Sequence, residues 1–162
     1  MRLSVPVPWG FELVVHSDGA AIVGADFAPR SRKRSPEPDD PLLAEAGVQI
    51  RAYFARRLFR FDLPLEPAGT PFQRRVWELT AALHFGEFVS YADLARAAGR
   101  PLAHRGVAMA MGRTPIALFI PAHRVVGSDG RMRGGRSGSM RARLVAFERA
   151  KPKRPVQRRT GE

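Results

Sequence analysis

Residues 90–112 constrain this chain most. Ser90-Tyr91-Ala92-Asp93 has the form of a capping box: the serine hydroxyl can accept from the third amide of a helix while the aspartate reaches back to the serine amide. It opens a short helix through residue 98, and Gly99-Arg100-Pro101 makes a turn. Residues 102–112 read as a second helix, stopped at Thr114-Pro115 because the residue before a proline is disfavoured in helical geometry. Two short helices around a glycine-containing turn describe a helix-turn-helix. Helix pairs with glycine turns are common, so the make-up of the second helix carries more weight. Ala103, Gly106, Ala108, Ala110 and Gly112 are all small and let the helix backbone come close to whatever it faces. That is either a neighbouring helix or a DNA groove, with Arg105 projecting into it.

The rest of the chain supplies a scaffold. Residues 11–16 and 20–27 read as two strands joined at Ser17-Asp18-Gly19, a hairpin, with Trp9 just before it read as core. Residues 29–41 mix Arg30, Arg32, Lys33 and Arg34 with prolines and acids and read as a solvated loop. Residues 42–58 have helical apolar spacing through Leu43, Ala46, Ile50, Tyr53, Phe54 and Leu58. Thr70-Pro71-Phe72-Gln73 is a second capping box with proline at the first helical position, opening a helix closed by Gly86. Residues 116–120 read as a buried strand, and Val125-Val126 with Arg131-Met132 as a hairpin wing around Gly127-Ser128-Asp129-Gly130. A last helix covers residues 140–150. The fold class expected is α+β: a small N-terminal α/β domain at residues 1–67, a mainly helical winged helix-turn-helix DNA-binding domain at 68–150, and a basic disordered tail at 151–162.

Composition narrows the partner. Lys and Arg total 27 against 15 Asp and Glu, a net charge of +12. An excess of this size points to a polyanion, nucleic acid first. No apolar run approaches the roughly 20 residues of a membrane span, and no basic-then-apolar leader pattern is seen. The chain has no cysteine, which excludes disulfides and cysteine-ligated metals. These features fit a cytoplasmic protein, nucleoid-associated when bound to DNA, working as a monomer with no cofactor and no metal.

The stretch Ile120-Pro121-Ala122-His123-Arg124-Val125-Val126 resembles the active-site turn of the O6-alkylguanine-DNA alkyltransferases, whose pattern is Pro-Cys-His-Arg-Val. Further phrases extend the resemblance: Gly69 to Gln73 with Val76-Trp77, Phe85-Gly86, Val89 to Ala95, Arg105, Met111 and Pro115. Phe54 and Phe61-Asp62-Leu63-Pro64-Leu65 resemble the family's N-terminal domain. The resemblance implies a role for each matching residue. Tyr91 would press on the phosphate beside the lesion, Arg105 would fill the gap left by the extruded base, and Ala103 would pack the helix into the minor groove. Arg124, Ser128 and Arg136 would complete the DNA contact. Tyr91, Met111, Pro121, Ala122, Val125 and Ser137 would line the lesion pocket. Extrusion is needed because the reacting atom is inaccessible inside a duplex. His123, oriented by Glu148, would activate the thiol through a water.

Here that thiol is missing. The cysteine position is Ala122, which has no nucleophile, and the attacking species in such chemistry is a thiolate. Thr114 stands where the family has a hinge asparagine, and Arg136 near where it has a tyrosine. On this reading His123, Glu148, Thr114 and Ala122 are vestiges. The chain resembles the alkyltransferase-like proteins, which bind O6-alkylguanine in duplex DNA and hand it to nucleotide excision repair proteins, and it would be no enzyme. Two alternatives stay open: an alkyltransferase inactivated by an engineered Cys→Ala change, and a winged-helix transcriptional regulator.

Overall fold

A computed structural model describes residues 1–130 and 139–150. The chain is α+β, and it opens with an antiparallel sheet of three strands in the order β1 (Arg2–Val7), β2 (Phe11–Ser17), β3 (Ile22–Pro29). The first strand, unmarked in the sequence reading, pairs with β2 from Arg2 opposite His16 to Val7 opposite Phe11. The turn between them holds Trp9 at φ 69°, left-handed and 40% exposed, so Trp9 is not core. Its ring instead meets Phe54 and Phe147 edge-on.

Helix α1 (Pro41–Phe54) is capped by the Asp40 carboxylate, which accepts from the Leu42 amide at 2.9 Å. It packs Leu43, Ala46, Ile50 and Tyr53 into the core. Gly47 permits the close approach to the sheet, since a Cβ there would stand 3.2 Å from the Leu3 side chain. The helix ends earlier than its periodicity suggests because Arg56 turns left-handed at φ 59°. Gln49 then exchanges two hydrogen bonds with the backbone of Asp62, fixing the extended segment that follows. That segment joins the sheet edge, where Leu65 bridges Ile22.

Helix α2 (Pro71–Ala81) starts at the expected capping box, with Thr70 and Gln73 bonded reciprocally. Helices α3 (Tyr91–Ala97) and α4 (His104–Gly112) form the helix-turn-helix, and Ser90 and Asp93 make the second box. Trp77 on α2 donates its indole N–H to the Ala110 carbonyl at 2.9 Å, which ties α2 to the second helix of the motif.

One strand expectation is corrected. Residues 116 and 118–120 are buried and Ala117 half-buried, but they do not form a strand; Leu118 turns left-handed at φ 69°, and only single bridges Ala25 to Ile116 and Ala117 to Ile120 form. Val125–Val126 forms β5, which pairs in parallel with β4 (Val89–Ser90). The outer half of the expected wing, at residues 131–132, and the basic tail lie outside the described residues. Helix α5 (Met140–Arg149) is the last described element, capped by Ser139. One core of buried apolar side chains runs from Leu3 in β1 through Val76, Val107 and Ile116 to Leu144 in α5. No described helix is long and apolar enough to cross a membrane.

Candidate nucleic-acid interface and buried carboxylate

The turn that the sequence singles out is a short 3-10 segment, Ala122–Arg124, leading into β5. Pro121, His123, Arg124 and Val125 are buried, while Ala122 is half-buried. His123 and Arg124 both face Glu148 on α5. The Glu148 carboxylate accepts from the His123 Nε2, from Arg124 Nε at 2.8 Å and Nη2 at 3.2 Å, from the Tyr53 hydroxyl at 2.6 Å and from the Gly86 amide at 2.9 Å. Gly86 has φ +77°, the left-handed turn that presents its N–H inward. Arg124 uses its remaining edge on the Leu83 carbonyl at 2.7 Å.

The electrostatics follow from this crowding. Burial alone would raise the Glu148 carboxyl, but hydrogen bonds from His123 and Arg124, with the Arg124 charge, outweigh it and bring it down to about 2. Burial holds His123 below its ordinary 6.5, against the pull of Glu148 in the other direction. The imidazole is therefore neutral at pH 7 and donates from Nε2, which leaves Nδ1 as its acceptor. Burial, then the carboxylate, pushes the Tyr53 phenol up, so it remains a donor. The charge balancing Glu148 is the Arg124 guanidinium.

This corrects one expectation. Arg124 is 3% exposed with its guanidinium nitrogens bonded internally, so it holds the turn together and does not reach DNA. His123 and Glu148 do meet, as the resemblance implies. Met111 and Val125 lie buried. Tyr91 begins α3 with 8% of its surface exposed. Thr114 donates its hydroxyl to the carbonyls of Met111 at 2.9 Å and Ala110 at 3.3 Å, satisfying the last turn of α4. Ser128 is exposed in the turn after β5. Arg136 and Ser137 lie outside the described residues.

On the outer surface of α4, His104, Arg105, Ala108, Met109 and Gly112 are exposed, and Ala103 before it is half-buried. These positions recur at helical spacing and form one face. A Cβ added at Gly112 would meet nothing within 4 Å, so that face is open. Gly106 points inward, where Phe72 packs against it.

Three participants escaped the sequence reading. Tyr53 had registered only as an apolar helical position, and its hydroxyl gave no local signal. Gly86 stands in the sequence as a helix stop and as part of a matching phrase, and neither signals that its amide donates to Glu148. Arg141 on α5 donates Nη2 to the Ala122 carbonyl at 3.0 Å, while its buried Nε has no partner among the described residues.

With this geometry in hand, comparison with known proteins identifies the family. Residues 71–150 match the description "6-O-methylguanine DNA methyltransferase, DNA binding domain". The chain is 47% identical over 94 residues to a methylated-DNA-protein-cysteine methyltransferase of Methanosarcina barkeri, covering 58% of this chain and 60% of that one. It is 42% identical over 113 residues to the constitutive methyltransferase of that name from Bacillus subtilis, covering 68% of each. The crystal structure of Mycobacterium tuberculosis OGT in complex with DNA superposes with a TM-score of 0.76 at 34% identity, over 90% of both chains. This chain belongs to the O6-methylguanine-DNA methyltransferase family.

These relatives overturn the expectation that the chain is no enzyme. Proteins 40–47% identical to it are named as methyltransferases, and so the fold and its Glu148-centred turn belong to an enzyme family. What the sequence establishes is narrower: position 122 is alanine, and no cysteine occurs anywhere in the chain.

Proposed function

We propose that this protein recognises O6-alkylguanine in duplex DNA, extrudes the damaged base, and marks the site for nucleotide excision repair. The observation that carries the reading is the open face of α4. It combines small residues at Ala108 and Gly112 with an exposed Arg105, on a helix fixed to its neighbours through Trp77 and Phe72. A rigid helix with a plain surface can approach a groove closely, and an unpaired guanidinium can stack where a base has left. The DNA complex of the M. tuberculosis relative and the +12 charge support the same partner.

In this reading residues 1–67 are scaffold, 68–150 carry the DNA contact, and 151–162 add basic charge. Tyr91 and Arg105 open the duplex, and half-buried Ala122 marks where the base is received; Tyr91, Met111, Pro121 and Val125 are buried and meet it only as the site opens. The turn that carries Ala122 is held in place by Glu148 through His123 and Arg124. The working form is a monomer on cytoplasmic DNA.

The test pairs two duplexes that differ only in guanine against O6-methylguanine, with 2-aminopurine beside that position to report unstacking. Tighter binding and brighter fluorescence on the damaged duplex are expected. An excision reaction supplied with the protein should incise that duplex faster. Equal affinity for both duplexes would overturn damage recognition, and unchanged incision would overturn the hand-over.

A further inference from the structure

The helix-turn-helix carries two exposed apolar side chains that nothing above uses. Leu102 is 92% exposed, more than any other large hydrophobic residue described, and Met109 is 56% exposed. They flank Arg105, three residues before it and four after. Single exposed apolar residues are ordinary. The setting of Leu102 is not.

The turn that presents Leu102 is braced on every side. Gly99, at φ +79°, donates to the Arg96 carbonyl, Arg100 to the Ala95 carbonyl and Ala103 to the Arg100 carbonyl, at 3.0, 3.0 and 2.9 Å. Beneath it lies Phe72 from α2. The Arg100 guanidinium sits 5.1 Å from that ring, and a Cβ added to Gly106 would come within 3.2 Å of it. Both the turn and the start of α4 therefore rest on one aromatic ring. Leu102 is held outward by a fixed backbone and gives nothing to the core.

Its neighbours say what it meets. Arg96, Arg100, His104 and Arg105 are exposed on the turn and the helix ends that flank it. An apolar protein surface would have to bury the Arg100 and Arg105 charges, for which no ion pair with a described residue is found, at high cost. A duplex accepts both kinds of group at once: phosphates take the guanidinium groups, while sugars and base edges take apolar side chains.

We propose that Leu102 is an apolar wedge that presses into the DNA groove beside Arg105, with Met109 extending the contact along α4. The inference rests on the DNA-reading function proposed above and adds to it a residue that acts by shape rather than charge. Leu102 would prop apart the step that Arg105 then fills.

An apolar contact releases no counterions, and that gives the wedge its own signature. Leu102→Ala should bind the O6-methylguanine duplex roughly fivefold to tenfold more weakly, the loss of one largely buried leucine side chain. Its slope of log affinity against log salt should match the wild type, and so should its melting temperature. Leu102→Met should restore most of the affinity, and Met109→Ala should lose less than Leu102→Ala. Affinity unchanged in Leu102→Ala, or a loss accompanied by a shallower salt slope, would overturn the wedge. A wild-type protein that binds neither duplex would instead remove the DNA reading beneath it.

Discussion

The Glu148 carboxylate and the outer face of α4 are both polar features of a basic protein, and they are built in opposite ways. Glu148 is buried and saturated, with donors drawn from α1, the turn after α2, and the 3-10 segment. Arg105 on α4 is exposed, and no hydrogen bond or ion pair to a described residue is found for it. A fully satisfied network in a low-dielectric interior fixes one arrangement and resists change. An unpaired cation on an open face has its hydrogen bonds to give to something else. The two regions therefore divide the work, one holding geometry and the other held ready.

Breaking the buried side should have the larger effect. Glu148→Ala strands the Arg124 charge and the Tyr53 and Gly86 donors inside the fold. Removing one partner of a buried pair costs about 3–5 kcal/mol, measurable by urea unfolding. A loss below about 1 kcal/mol would mean water reaches the site and the contrast with α4 is false.

Acid attacks the same network. His123 refuses a proton in the fold, so the unfolded chain binds more protons below 6.5, and stability falls as pH drops beneath that value. Glu148, held at about 2 against an ordinary 4.5, adds stability that is whole above 4.5 and lost between 4.5 and 2. Denaturation midpoints taken from pH 8 downward should decline steadily below 6.5. A flat profile between 6.5 and 5 would show that His123 is charged in the fold.

The open side should respond in binding alone. Arg105→Ala should lose roughly tenfold or more of its preference for the O6-methylguanine duplex, since stacking on a base is worth on the order of 1–3 kcal/mol. Its unfolding curve should not move. A drop in stability would place Arg105 within the scaffold and blur the division.

The smallest disturbance is Ala122→Cys, which should change stability and affinity little. A thiol there sits beside His123, and lowering its pKa from about 8.5 requires a neighbouring base. It should gain one methyl from O6-methylguanine DNA over a long incubation, read by mass. Transfer within the mixing time would show the turn to be set for full reactivity, and none would show the base held in another orientation.

Local signals in the sequence located the helices well. Both capping boxes form as spelled, because a cap needs only residues three apart. The helix-turn-helix followed from a glycine, a proline and a run of small side chains. Long-range pairings were less legible. Strand β1 is half-buried and interrupted by Pro6, and its partner register depends on a left-handed Trp9 that no propensity rule anticipates. Residues 116–120 are as apolar as a central strand, but Leu118 breaks their run through its backbone, not its side-chain type. At the site, His123 and Glu148 came from family resemblance, whereas Tyr53 lies 95 residues from its acceptor and was invisible locally. Arg124 misled for the converse reason: a basic residue in a basic protein reads as surface until its counter-charge is seen.

The position of Glu148 in the chain also orders events during synthesis. Every donor to that carboxylate, from Tyr53 to Arg124, is made before the acceptor. A ribosome-bound chain that ends anywhere short of residue 148 carries an arginine destined for the interior with nothing to neutralise it. Collapse of the core around that cation is unfavourable until α5 arrives, so the half-made protein stays open to chaperones and proteases. The bonds that set the finished turn are thus among the last that the growing chain can form.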